Sequence, residues 1–383
     1  MNCLIRIWYF LIVFLVACPN TVFPQNRLQA SLPSPDHIVV LILENHGYPE
    51  IIGTANAPHI NALAKDTFSA LFTQSFAIEH PSQPNYLDLF AGCNQGVTDD
   101  AIPSGTPYTT DNLGRELLDA AKTFVTYSED LPNVGYNGAS SNSYARKHNP
   151  AVNWMGTGAN QIPLTTNQPF SAFPLQFSTL PDVCFVIPNL NDDMHDGSIN
   201  TGDNWMFANL NNYIEWAKTH NSLFILTFDE DDNTAGNQVA TIFTGATVKS
   251  GKYSETINHY SILRTIEDIY GLPYACNAST SSPITDCWNV TASVTANPTE
   301  TSEKVFSLYP NPSNGEFIVR IEPSKIGTLK NLQVFTVSGE KVFEKNIEKT
   351  AIQSIALEHM GQGSYIVRVS DGTIQWTEKM IVQ

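Results

Sequence analysis

The stretch Ile38–Gly47 reads IVVLILENHG: six apolar residues in a row, then a carboxylate, an amide and an imidazole. An unbroken run of β-branched and leucine side chains suits a strand covered on both faces, as in a parallel sheet between helices. Its polar end then lies at the rim of the sheet, beyond the carboxyl end of the strand, where open α/β sheets bind their ligands. A strand that simply stops in a polar turn is the alternative. A second run of the same design, Leu223–Asp232 (LFILTFDEDD), favours the first reading, because two buried strands that end in acids can converge on one cation.

The 383 residues exceed one ordinary domain and accommodate a large α/β domain with a small one beside it. A formal charge of −17 argues against nucleic acid or an anionic membrane surface as a partner held by bulk electrostatics. An anionic substrate would need a local cation or a basic pocket. Residues Met1–Gln25 carry one early cation, Arg6, and an apolar stretch from Trp8 to Ala17 too short to span a bilayer, the pattern of a secretory signal peptide. LVAC at Leu15–Cys18 also fits a lipoprotein cleavage box and ranks second.

After the first strand, Ala57–Ala70 (APHINALAKDTFSA) has helical apolar spacing and is expected to cross back over the sheet. In EHPSQPNY, Glu79–Tyr86, Pro81 and Pro84 bracket Ser82 ahead of an apolar helix. Ser82 reads either as an inert N-cap or as a hydroxyl held at a helix N-terminus, where anions are favoured.

ILENHG, APHINALA and HPSQPNYL, in this order and spacing, resemble the phosphoesterase family that includes secreted acid phosphatases and non-haemolytic phospholipases C, within the alkaline phosphatase superfamily. The resemblance implies a three-layer α/β/α domain. It implies that Glu44 and Asn45 bind a divalent metal, with Asn45 also near the substrate, and that Ser82 is a metal-bound nucleophile.

Leu113–Ala121 reads as a helix, Thr123–Tyr127 as a strand, and Pro132–Pro174 as a long binding loop. Inside that loop, YARKHNP (Tyr144–Pro150) is similar to a family segment; His148 is the favoured site residue, with Arg146 and Lys147 as substrate contacts or plain surface charge. Asp182–Asn189 is a buried strand running into LNDDMHDGS, where Asp-rich turn chemistry competes with function. The resemblance singles out His195, with Asp193 and Asp196 on the substrate side. Gly202–Ala217 reads as a helix capped by Asp203. In the second rim, Asp229 and Glu230 match the family's paired metal acids, while Asp231 and Asp232 extend the turn. Glu44, Asn45, Ser82, Asp229 and Glu230 would be all-oxygen donors, suited to Mg, Ca or Mn rather than Zn; the number of ions stays open. Val239–Gly245 is a further strand and Ile257–Leu272 a helix; His259 at its start is a core or capping imidazole or a phosphate contact.

Four cysteines follow the signal, an even number that suits an oxidising compartment. Cys276 and Cys287 bracket one loop and are expected to pair; Cys184 is a packed thiol or the partner of Cys93. Residues 26–288 form the expected catalytic domain and the polar stretch 289–303 a linker. From residue 304 the pattern changes to short alternating strands with Gly, Asn and Asp turns, as in a small all-β sandwich. YPNPSNG, VSGEKV and GSYIVRV resemble the C-terminal sorting domain of the type nine (Por) secretion system, which implies that machinery as a partner and a secreted or surface-attached product.

Together the two resemblances imply a secreted, metal-dependent, acid-phosphatase-like phosphomonoesterase that acts on a small phosphoester through a phosphoserine. A phospholipase C or other phosphodiesterase is the alternative within enzymes, and an inactive secreted binding protein the alternative outside them. Oligomeric state is not legible.

Overall fold

The computed structural model describes residues 32–289, 305–336, 341–357, 361–371 and 375–383. The expected signal peptide, the linker beyond Asn289 and the turn at 337–340 lie outside the described residues. The chain divides into two compact units, Met1–Thr291 and Ala292–Gln383.

An 8-stranded mixed sheet organises the first unit. Its strands are β1 (His37–Leu43), β2 (Ser69–Phe72), β3 (Phe124–Ser128), β4 (Asn167–Pro169), β5 (Val183–Ile187), β6 (Ser222–Phe228), β7 (Thr241–Thr244) and β8 (Gly251–Tyr253). They lie in the order β8-β2-β7-β6-β1-β5-β3-β4. The first strand sits between β5 and β6 and is parallel to both. Its residues alternate between two cores: Ile38, Val40 and Ile42 point into one, Val39, Leu41 and Leu43 into the other. Each fully buried aliphatic side chain of this kind contributes roughly 1.5–3 kcal/mol.

Helices cover both faces: α1 (Tyr48–Ile51), α2 (Pro58–Leu63), α3 (Ser82–Ala91), α4 (Leu113–Asp119), α5 (Ile199–Ala217) and α6 (His259–Tyr270). The first core is closed by α3, α4 and α6 and the second by α2 and α5. This is the three-layer α/β/α arrangement expected from the sequence. One strand departs from it: β7 is antiparallel to both β2 and β6.

Local patterns misjudged several details. The helix expected over Ala57–Ala70 ends at Leu63, and Ser69–Phe72 is a strand. Asp66 turns the chain there, accepting from the Phe68 amide with its side chain at 2.9 Å, and β2 gains ladder partners on both sides that outweigh helical propensity. The helix expected from Gly202 starts at Ile199 under a Ser198 cap. Asp203 therefore does not cap its own helix; it accepts from His59 N (3.0 Å) and Ile60 N (2.7 Å) at the start of α2. Ser82 is the first residue of α3 rather than its N-cap, which is Pro81.

The disulfide expectation is also corrected. Cys93 pairs with Cys276, while Cys184 and Cys287 are buried free thiols. The reason is the close approach of the α3 C-terminus to residues 275–277. Gly92 (φ 70) would place a Cβ 2.2 Å from the Ala275 carbonyl, and its own carbonyl accepts from Asn277 N at 3.0 Å. That contact brings Cys93 to Cys276, whereas Cys287 is packed inside the core.

The second unit contains two antiparallel sheets. One comprises β9 (Phe306–Tyr309), β10 (Glu316–Ile321) and the later strand Ile352–Ala356; the other comprises Asn331–Thr336, Lys341–Asn346, Gly363–Ser370 and Gln375–Val382. Phe317 and Val319 of the first share one core with Leu332, Val334, Val367 and Val369 of the second. The expected small β-sandwich is thus formed.

Candidate active site

Register builds the site. Leu43 lies opposite Phe228 in the parallel pair β1 and β6, so Glu44 and Asp229 leave the sheet side by side. Asn45 adopts φ 32, a left-handed conformation that Asn tolerates, and its amide donates to Asp229 Oδ1 at 3.0 Å. The Glu44 amide donates to the Asp193 carbonyl at 2.8 Å, which ties in the segment following β5. Three strand ends therefore converge on the fully buried Glu44 carboxylate.

Ser82 meets them from the start of α3. Its hydroxyl is within hydrogen-bond distance of Glu44 Oε2 (3.0 Å) and Glu230 Oε1 (3.2 Å), and the residue is 2% exposed. Tyr86, one turn along the same helix, donates its hydroxyl to Glu44 Oε1. Glu230 is held from the other side by His80 Nδ1 at 2.7 Å, and His80 Nε2 lies 3.2 Å from Asp231. Asp231 in turn accepts from the amides of Asn233, Ala235 and Asn237, fixing the turn after β6.

The long loop supplies the remaining wall. His148 is buried, with Nδ1 2.9 Å from Asp193 Oδ2 and Nε2 3.2 Å from Glu44 Oε1, and its ring stacks on Tyr86. His195 Nε2 lies 3.1 Å from Lys147 Nζ, and its Nδ1 lies 2.7 Å from Asp196. Lys147 also donates to Asp100 at 2.9 Å.

Burial dominates the electrostatics. It raises the carboxyls of Glu44 and Asp229 well above the usual range, with neighbouring acids adding to the shift, and it raises Glu230 as well. Burial also lifts Asp193 to about 8 and drives the His148 imidazole well below its ordinary value. Asp229 Oδ2 is buried with no hydrogen-bond partner. An orphaned carboxylate oxygen in a crowded acid cluster is what a bound cation would satisfy. Glu44, Asn45, Ser82, Asp229 and Glu230 fit that role as oxygen donors. Glu44, His148 and His195 form a second possible set, with donor atoms all within 4.8 Å of one another.

The expected residues Glu44, Asn45, Ser82, His148, Asp193, His195, Asp229 and Glu230 are thus brought together, with Lys147 beside them. Asp196 reaches the site only through His195. Arg146 donates from Nε to Asn137 Oδ1 at 3.1 Å, and Asp232 only organises its turn, accepting from the Thr234 amide at 3.1 Å. His259, left open by its sequence, is buried against the Phe228 carbonyl at 3.0 Å, its pKa pushed down to about 4 by burial. Sequence reasoning passed over His80, Tyr86 and Asp100. The first two stand within the quoted HPSQPNY motif, whereas nothing around Asp100 marks it.

Residues 55–273 match the model of the phosphoesterase family, and residues 307–383 match a secretion system C-terminal sorting domain. A phosphatidylinositol-3-phosphatase of Mycobacterium tuberculosis is 48% identical over 69% of this chain and 87% of its own. A phosphate-repressible acid phosphatase of Penicillium chrysogenum is 30% identical over 66% of this chain, but the match spans only 64% of that enzyme. Among solved structures, a protein in the alkaline phosphatase superfamily from Vibrio parahaemolyticus aligns over 93% of this chain and 84% of its own at 10% identity and a TM-score of 0.47, a likeness that carries no functional argument.

Proposed function

The chain belongs to the phosphoesterase family and is a phosphoester hydrolase, and from that premise we propose that it is a secreted, metal-dependent phosphomonoesterase acting through a phosphoserine at Ser82. The observation that carries this reading is the buried Ser82 hydroxyl, held at the first turn of α3 between Glu44 and Glu230. A helix N-terminus there favours the incoming anion.

Glu44, Asn45, Ser82, Asp229 and Glu230 would hold the ion, and their hard oxygen donors suit Mg, Ca or Mn. When bound, the ion would neutralise charge on the phosphoryl group and make the Ser82 hydroxyl easier to ionise. The Ser82 oxygen attacks phosphorus and loses its proton as the bond to the leaving oxygen breaks; water then hydrolyses the phosphoserine. His148 is the group placed to move a proton, because Asp193 fixes Nδ1 and leaves Nε2 toward Glu44. Lys147 and His195 are arranged to bind phosphoryl oxygens or to protonate the leaving group. The nitrogen-bearing set of Glu44, His148 and His195 supports a second reading with a softer ion such as Zn; elemental analysis of the purified protein separates the two.

Relatives named as phosphatases support monoesters over diesters as substrates. The C-terminal module supports export to the cell surface or beyond by the type nine system, and no helix among the described residues is long and apolar enough to cross a membrane. The decisive test is rapid acid quench with a labelled phosphoester, followed by peptide mapping. Label on Ser82 is expected; label on any other residue would refute the assignment.

A further inference from the structure

Arg146 is a buried cation without an anion. It is 2% exposed, and its Nε donates to Asn137 Oδ1 at 3.1 Å. Nη1 is buried with no hydrogen-bond partner, and among the described residues no carboxylate pairs with the guanidinium. The ionisable groups felt most strongly there are the phenols of Tyr144 and Tyr108. Leaving a charge in this state is costly, and a planar guanidinium is shaped to receive two oxygens of one oxyanion.

Arg146 is among the residues that line a cavity of about 270 Å³, with Gln83, Asp100, Ile102, Ala139 and Lys147. Gln83 follows Ser82 in α3, and Lys147 Nζ is 3.1 Å from His195 Nε2, so the cavity and the Ser82 site share a wall. Its one acid, Asp100, is already engaged by Lys147 at 2.9 Å and by the Gln83 amide at 3.1 Å. The cavity therefore keeps one uncompensated positive charge, and its volume suits a small charged fragment rather than a lipid chain.

We propose that this cavity takes a second oxyanion of the substrate, phosphate or carboxylate, carried on the leaving group and bound by Arg146. The inference rests on the phosphomonoesterase reading and narrows its substrates to phosphomonoesters with a second anionic group. Lys147 serves both halves, facing the transferring phosphoryl group through His195 and the second anion through the cavity wall.

The test compares kcat/KM of the full, metal-supplemented chain on glycerol 2-phosphate, 3-phosphoglycerate and glycerol 1,3-bisphosphate. The wild type is expected to prefer one or both of the doubly anionic substrates by about tenfold, equivalent to one good charge-assisted contact. The carboxylate and phosphate arms show which group is taken. Arg146→Gln should collapse that ratio and Arg146→Lys should recover part of it. Because Arg146 is buried and its variants put folding at risk, Ala139→Glu, at an exposed position lining the cavity, supplies an internal competitor and should also collapse the ratio. Equal wild-type rates on all three substrates, or a ratio that survives the substitutions, would overturn the proposal. Absence of hydrolysis of all three would instead overturn the phosphatase reading and this inference with it.

Discussion

His148 Nδ1 lies 2.9 Å from Asp193 Oδ2, and both side chains are buried. Burial lowers the imidazole and raises the carboxyl, so the pair is drawn toward its neutral form and the ring presents Nε2, not Nδ1, to Glu44. Asp193→Asn keeps the shape and a donor toward Nδ1, but an amide cannot ionise to balance charge that develops on the ring. The substitution should lower kcat about 10- to 100-fold with little change in thermal stability. Steady-state kinetics beside a melting curve checks this; unchanged kcat would remove Asp193 from the mechanism.

The acid cluster predicts metal dependence. Chelation should abolish hydrolysis and one divalent ion should restore it. Asp229→Asn should weaken ion binding and lower activity by at least about 100-fold, since its buried carboxylate both holds Asn45 and carries the orphaned oxygen. Asp232→Ala should stay within about twofold, because Asp232 is exposed and serves only its own turn. Full activity in a demonstrably metal-free sample would end this proposal.

A pH effect on stability is expected away from the site. Glu116 and Glu267 are buried, and burial lifts them to about 8 and about 7 from the ordinary carboxyl value of 4.5. A raised carboxyl holds its proton in the folded chain where the unfolded chain has released it. Stability from these groups is therefore greatest below about pH 4.5 and falls as pH rises toward 8. Both Glu116 oxygens are buried without partners, so Glu116→Gln should stabilise the protein at pH 8 by roughly 1–3 kcal/mol and change little at pH 4. Urea melts at the two pH values measure the difference; an equal effect at both would refute it.

The Cys93–Cys276 bridge closes a loop across most of the first unit, with a sequence separation of 183. Cys93→Ser should cost about 2–4 kcal/mol under oxidising conditions and nothing further under reducing ones. Non-reducing peptide mapping should recover that pair and leave the thiols of Cys184 and Cys287 free.

Asp203→Ala removes the acceptor for two amides at the start of α2 and should cost about 1–2 kcal/mol, near the upper end for a cap because Asp203 is buried. The effect belongs to α2, so amide exchange should quicken at His59 and Ile60 before it does in α5.

Much of the scaffold was legible in local patterns. The apolar run at Ile38–Leu43 and the run ending at Phe228 formed adjacent parallel strands, and Glu44 and Asp229 followed them to one rim. Ser82 stood out through its flanking prolines and the HPSQPNY motif. His80 was missed although it belongs to that same motif, because its value depends on Glu230 and Asp231, which lie about 150 residues further on.

Alternating or unbroken apolar periodicity is a property of a few neighbouring residues, so the sequence by itself determined the buried strands, the acids at their ends, the hydroxyl at Ser82 and the change of grammar near residue 304. Which distant groups meet is set by packing between segments, and only the tertiary structure decided it. The register of β1 against β6 put Asp229 beneath Asn45. The approach of Gly92 to Ala275 selected Cys276 as the partner of Cys93. The stacking of α5 on α2 turned Asp203 from a cap of its own helix into a cap of another. A loop segment with no local signal put Asp100 against Lys147, and the fold left Arg146 buried with no counter-ion among the described residues. None of these contacts carries a short-range signature, because each one joins residues whose separation along the chain exceeds the reach of any periodic pattern.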